Sequence, residues 1–163
     1  VRYAISKGID ISFIEEMPLG AITEHNREEV FCSSDEIKTM LEAHWALKPV
    51  QQGKASDGPS QYYTLSGACI PDGTTTRVGF ISPHSHNFCG DCNRVRVTAE
   101  GRLLLCLGNE HSVDLREGLR CYPGDKERLK TTIIQAMDLK PERHEFDHSN
   151  TPDIVRFMNM TGG

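Results

Sequence analysis

Apolar residues alternate with polar or smaller ones through Ile9, Ile11 and Phe13, a period of two that predicts a strand ending at Met17-Pro18-Leu19-Gly20. The residues before it read as the end of a helix. Residues 21–32 carry no clear period and predict a loop. At Ser33 the pattern changes: Ser33 with Glu36 makes a capping box, and Ile37, Met40, Leu41 and Trp45 then recur at helical spacing. Residues 51–60, rich in Gly, Ser and polar side chains, predict a flexible connection. Gln61 to Leu65 and Thr76 to Ser82 predict strands flanking a turn at Pro71-Asp72-Gly73. Arg94 to Leu105 reads as two more strands, joined by a tight turn at Glu100-Gly101. Val113 to Cys121 predicts a short helix, and Asp125 to Leu139 a longer one with Leu129, Ile133 and Met137 on one face, stopped by Pro141. From His144 the chain is polar and aperiodic, apart from a short apolar stretch at Ile154 to Phe157. This order is an α+β pattern whose first strand has no sheet of its own.

Composition narrows the picture. The 163 residues, 37% of them hydrophobic, suffice for one domain with a modest core. No apolar run is long enough to cross a bilayer, and the opening VRYAISKGIDISFIEEM has neither a secretory signal nor an initiator Met, unlike a natural start. A formal net charge of −5 argues against a general nucleic-acid surface, which is usually basic. A nucleotide would need a local basic cluster, and Arg94, Arg96 and Arg102 make one. The six cysteines are clustered, and without a secretory signal they point to a reducing cytoplasm rather than to disulfides.

The candidate chemistry is concentrated in FCGDCNRVRVTAEGRLLLCL. Cys89 and Cys92 lie two residues apart, so a turn aims both thiolates at one centre. The predicted hairpin folds Cys106 back beside them. Three convergent thiolates suit zinc or iron–sulfur chemistry. A cube held by three cysteines leaves one iron open to a substrate atom, whereas a structural zinc wants a fourth ligand, for which His84, His86 and His111 are candidates. On spacing alone the two readings weigh about equally. Arg94 and Arg96, at i and i+2 of a strand, project from one face and offer planar donor forks that fit phosphate or a purine edge. Glu15 and Glu16 point to opposite faces and make no paired acid/base site; one is expected in solvent and the other as a ligand or ion-pair partner. Cys32, Cys69 and Cys121 lack ligand spacing and read as small buried hydrophobes. Of the seven histidines only His84 and His86 form a pair, expected on the surface or behind the cysteines.

At these residues the chain resembles the GTP 3',8-cyclase family of radical-SAM enzymes, the molybdenum cofactor biosynthesis protein A family. GFIS-x5-FCxxCNRxRxTxxGxLxxCL, from Gly79 to Leu107, looks like that family's second, substrate-binding [4Fe-4S] motif. FIEEMPLG, from Phe13 to Gly20, resembles its last barrel strand, and RFMNMTGG, from Arg156 to Gly163, resembles its double-glycine tail, with Thr161 in place of an aliphatic residue. The CxxxCxxC motif of the radical-SAM cluster has no counterpart, so the chain looks like the C-terminal half of such an enzyme.

The resemblance implies a fold as well as an activity. Residues 1–32 would end an incomplete TIM-like barrel, contributing its last strand. Residues 33–163 would form the C-terminal domain of antiparallel strands and flanking helices. The missing half would cleave S-adenosylmethionine to a 5'-deoxyadenosyl radical, which takes hydrogen from the ribose C3' of GTP before that carbon attacks C8 of guanine. The present half would hold a [4Fe-4S] cluster through Cys89, Cys92 and Cys106. GTP would lie against Arg94, Val95 and Arg96, the middle one through its backbone. Met17 would touch S-adenosylmethionine, chiefly through its backbone, and Gly162 and Gly163 would enter the active site. Ser12 stands where many members carry an arginine, which leaves it without an implied role. The expected partners are GTP and the N-terminal radical-SAM half, with a homodimer left open and neither nucleic acid nor membrane. The chain alone is expected to be inactive. The alternative is a non-enzymatic, zinc-stabilised binding module using the same cysteines.

Overall fold

The computed structural model describes residues 1–20, 26–51, 58–67, 70–144 and 146. Cys69, the apolar stretch 154–157, and the tail with Gly162 and Gly163 lie outside the described residues. The chain divides into two units: Val1–Glu16 with Phe31–Cys92, and Met17–Val30 with the residues from Asn93 on.

In the first unit, helix α1 (Arg2–Lys7) leads into strand β1 (Ile11–Ile14). Helix α3 (Ser34–Glu42) starts where its capping box predicts: Ser33 Oγ accepts from Glu36 N at 3.2 Å, and the Glu36 carboxylate accepts from Ser33 N at 2.8 Å. β2 (Ala46–Pro49), β3 (Gln61–Ser66) and β4 (Arg77–Ile81) follow. They form a four-stranded sheet in the order β1-β4-β3-β2. Trp45, Leu65, Val78 and Phe80 make its core, with Ile37 and Leu41 of α3 packed against them.

The expectation that the first strand lacks a sheet is not met. β1 pairs in parallel with β4, Ile11 opposite Val78 and Phe13 opposite Phe80, while the other pairings are antiparallel. Such a pairing links residues far apart in sequence, which a local pattern does not encode. β2 was not legible either, being short and following directly on the helix. Gly79 sits at the centre of this sheet beside a hydroxyl cluster, with Ser12 Oγ 2.9 Å from Ser60 Oγ. A Cβ on Gly79 would overlap Ser60 Oγ and lie 2.6 Å from Ser12 Oγ. Only a bare backbone fits there.

In the second unit, α2 (Arg27–Val30) occupies part of the stretch expected as loop. Strands β5 (Arg96–Val97), β6 (Arg102–Leu104) and β7 (Ser112–Asp114) form an antiparallel sheet in that order. The predicted turn is present: Gly101 has φ +79° and donates to Thr98 O at 2.9 Å. Positive φ is open to glycine at little cost. Helix α4 (Leu115–Cys121) begins two residues later than expected because Val113 belongs to β7. Asp114 ends that strand and caps the helix, accepting from Glu117 N at 3.1 Å. Helix α5 (Lys126–Met137) is capped by Asp125. Its Leu129, Ile133 and Met137 pack on the core of Leu103, Leu105, Leu115 and Ala136, as the helical period predicts.

Candidate functional site

Glu15 organises the approach to the cysteines. In phase with Ile11 and Phe13, it points inward just beyond β1 and is 2% exposed. Its Oε1 accepts from Ser34 N at 2.9 Å and from the Ser85 hydroxyl, and its Oε2 accepts from His84 N at 2.9 Å and Ser85 N at 3.1 Å. Burial pushes the carboxyl's pKa up, but the bonds from Ser85, Ser34 and His84 outweigh it and hold the group below the usual carboxylate value. One buried anion thus ties the first turn of α3 to the segment between β4 and Cys89. Further bonds fix the same segment. Ser82 Oγ lies 2.7 Å from Ser34 Oγ, and His84 Nε2 lies 2.9 Å from Glu16 O. His86 Nε2 is 3.0 Å from Asp35 Oδ1. Both histidines are thereby engaged with protein groups, in line with the expected surface or supporting role.

Sequence reasoning treated Glu15 as one half of an undecided pair. A signal was available: a carboxylate in phase with apolar strand positions faces inward and must find donors.

The segment ends in a 3₁₀ turn, Cys89–Asp91, closed by Cys92 N donating to Cys89 O at 3.0 Å. Asn87 Oδ1 accepts from Cys89 N at 2.8 Å and steadies its start. Cys89 and Cys92 are partly exposed thiols of the first unit, and Cys106, also a partly exposed thiol, follows β6 in the second. Thiols are soft donors, and in their chemistry Cys89, Cys92 and Cys106 fit an iron–sulfur cluster or zinc. Among the described residues, no three His, Cys, Asp or Glu side chains are gathered to hold a metal ion. Cys32 and Cys121 are exposed, which corrects the expectation that they are buried. Each sits at an element boundary, where the local pattern carries no burial signal.

From Arg94 to Val97 burial alternates: Arg94 and Arg96 are partly covered, while Val95 and Val97 are 39% and 55% exposed. Only Arg96 belongs to β5, and Arg94 precedes the strand, so the strand is shorter than expected and the period of two does not extend to Arg94. Arg102 is engaged within its own sheet. Its Nε and Nη2 donate to Ser112 Oγ at 3.0 and 2.8 Å, and its Nη1 lies 3.9 Å from Asp114. Register explains this, since Arg102 stands opposite Asp114 across the β6–β7 ladder. Met17 is half-buried, and its carbonyl accepts from Leu19 N at 2.7 Å.

Comparison with known proteins gives these residues a family. A GTP 3',8-cyclase of Pseudomonas entomophila is 59% identical over all 163 residues, which cover 47% of that protein. The protein named GTP 3',8-cyclase 2 of Pseudomonas aeruginosa and a GTP 3',8-cyclase of Ectopseudomonas mendocina are each 55% identical over the same 163 residues, again 47% of their length. The chain therefore spans about half the length of the curated relatives it matches. The Molybdenum Cofactor Synthesis C profile runs from residue 9 to 146, taking in β1, Glu15, the three cysteines and both arginines, and the chain belongs to that family.

Proposed function

We propose that this chain is the C-terminal, substrate-holding part of a GTP 3',8-cyclase, which converts GTP to (8S)-3',8-cyclo-7,8-dihydroguanosine 5'-triphosphate in molybdenum cofactor synthesis. The observation that carries this reading is the unbroken match, 55–59% identical over all 163 residues, to proteins bearing that name. Cys89, Cys92 and Cys106 would hold a [4Fe-4S] cluster, whose chemistry when bound is an open iron able to take a guanine atom. The chain's own residues do the rest. Arg94 and Arg96 hold the anionic nucleotide through their guanidinium groups, with the backbone of Val95 between them. Holding the ribose in one orientation is itself a rate effect, because a loosely held substrate lets a radical react elsewhere. Met17 would meet S-adenosylmethionine through its backbone, and Gly162 and Gly163 would approach the substrate without side chains. The partner would be an N-terminal radical-SAM half carrying the first barrel strands, with residues 1–32 completing them and 33–163 forming the C-terminal domain. Without that half the chain would not turn over GTP.

Anaerobic purification with metal, sulfide and absorption analysis tests the reading. A brown protein with iron and sulfide supports it. A colourless protein with one zinc per chain would replace it by a zinc-stabilised binding module.

A further inference from the structure

Lys140 lies three residues beyond the end of α5, and its ammonium donates to two backbone carbonyls, Arg94 O at 3.1 Å and Leu105 O at 2.6 Å. The β5–β6 ladder pairs Val97 with Leu103 and Arg96 with Leu104. Continued outward, that register would set 95 opposite 105 and 94 opposite 106. The ladder instead stops, since β5 begins at Arg96 and β6 ends at Leu104. At the mouth of the hairpin one cation thus bridges a carbonyl from each strand end. Those ends carry Arg94 itself and Cys106, the residue after Leu105.

The segment bearing Lys140 is closely laid down. A Cβ on Gly108 would stand 2.7 Å from His144 Cβ and from Phe146 Cζ, so residues just past Cys106 and residues just past Lys140 touch without slack. A compact ammonium with three donors can serve two carbonyls at once, and such charge-assisted bonds are stronger than neutral ones.

We propose that Lys140 is a positioning residue that sets the spacing of the two strand ends carrying Arg94 and Cys106. What those two residues do rests on the functional reading above, whereas what Lys140 does rests on the hairpin geometry.

Lys140→Met removes the donors at similar length, and Lys140→Arg keeps charge and donors. In the whole 163-residue chain, amide exchange at 94–97 and 103–107 and the iodoacetamide alkylation rate of Cys106 read the hairpin mouth without any cluster. Lys140→Met should keep the far-UV circular dichroism of the parent while both rates rise several-fold, and Lys140→Arg should bring them back toward the parent. After iron–sulfur reconstitution, GTP affinity should fall about ten-fold in Lys140→Met, the worth of one charge-assisted hydrogen bond. Unchanged exchange and alkylation in Lys140→Met would overturn the proposal. So would loss of the dichroism in both variants, which would make the residue a general packing element. A parent chain that takes up neither iron nor GTP would defeat the functional reading, while the exchange and alkylation rates would still decide the role of Lys140.

Discussion

Glu15→Gln keeps the size of the side chain but puts an amide NH2 where every facing group is a donor. The less costly orientation sets the NH2 toward Ser34 N and the Ser85 hydroxyl, because that hydroxyl can turn and accept. Ser34 N then loses its acceptor in a buried place, at about 1–3 kcal/mol. The bonds from His84 N and Ser85 N survive but lose their charge assistance, about 1 kcal/mol each. Together the loss is about 3–5 kcal/mol, a large share of the about 5–15 kcal/mol typical of a folded domain.

Urea titration followed by fluorescence isolates the effect, since Trp45 is the sole tryptophan and is buried in the core of the unit that holds Glu15. The pH dependence has a definite sign. Glu15 titrates lower folded than unfolded, so its contribution is complete above the unfolded value of about 4.3 and is lost as pH falls through the folded one. Asp10, held low first by its side-chain bond from Arg77, destabilises parent and variant alike on acidification. The gap between parent and Glu15→Gln is therefore the quantity to follow. It should be widest near neutrality and shrink below about pH 4. A gap under about 1 kcal/mol at pH 7, or one that stays constant on acidification, would refute this account of the buried anion.

Replacing Cys89, Cys92 or Cys106 by Ser should strip iron from the reconstituted protein, whereas Cys32→Ser and Cys121→Ser should leave it near the parent level; equal losses in both sets would sink the ligand assignment. Arg94→Ala and Arg96→Ala should each weaken GTP binding about ten-fold or more with iron content intact, with lysine a poor rescue because it lacks the planar fork. Calorimetric affinities within two-fold of the parent would instead make both arginines solvated side chains. Gly79→Ala should lower the Trp45 unfolding midpoint, with overpacking costing about 1–3 kcal/mol where Ser60 and Ser12 leave no room. An unchanged midpoint would mean that the hydroxyl cluster gives way freely.

Short-range chemistry determined much of this protein without help from the fold. Ser33 and Glu36 lie within one helical turn, so their reciprocal caps form wherever α3 begins. The Glu100-Gly101 turn likewise depends on neighbours a few residues away. The same holds for the CxxC turn, whose closing bond spans three residues. Tertiary structure alone decided what long-range pairing supplies. β1 found its sheet by lying parallel to β4, 67 residues on, and Arg77 N meets Asp10 across that distance at 2.8 Å. Glu15 became an internal anion because Ser34, His84 and Ser85, from two distant segments, brought their donors to it. Arg102 met Ser112 and Asp114 through the β6–β7 register, and Lys140 reached the hairpin mouth from the end of α5, which packs on β6. Local patterns record which way a side chain faces; they do not record what the rest of the chain will place opposite it.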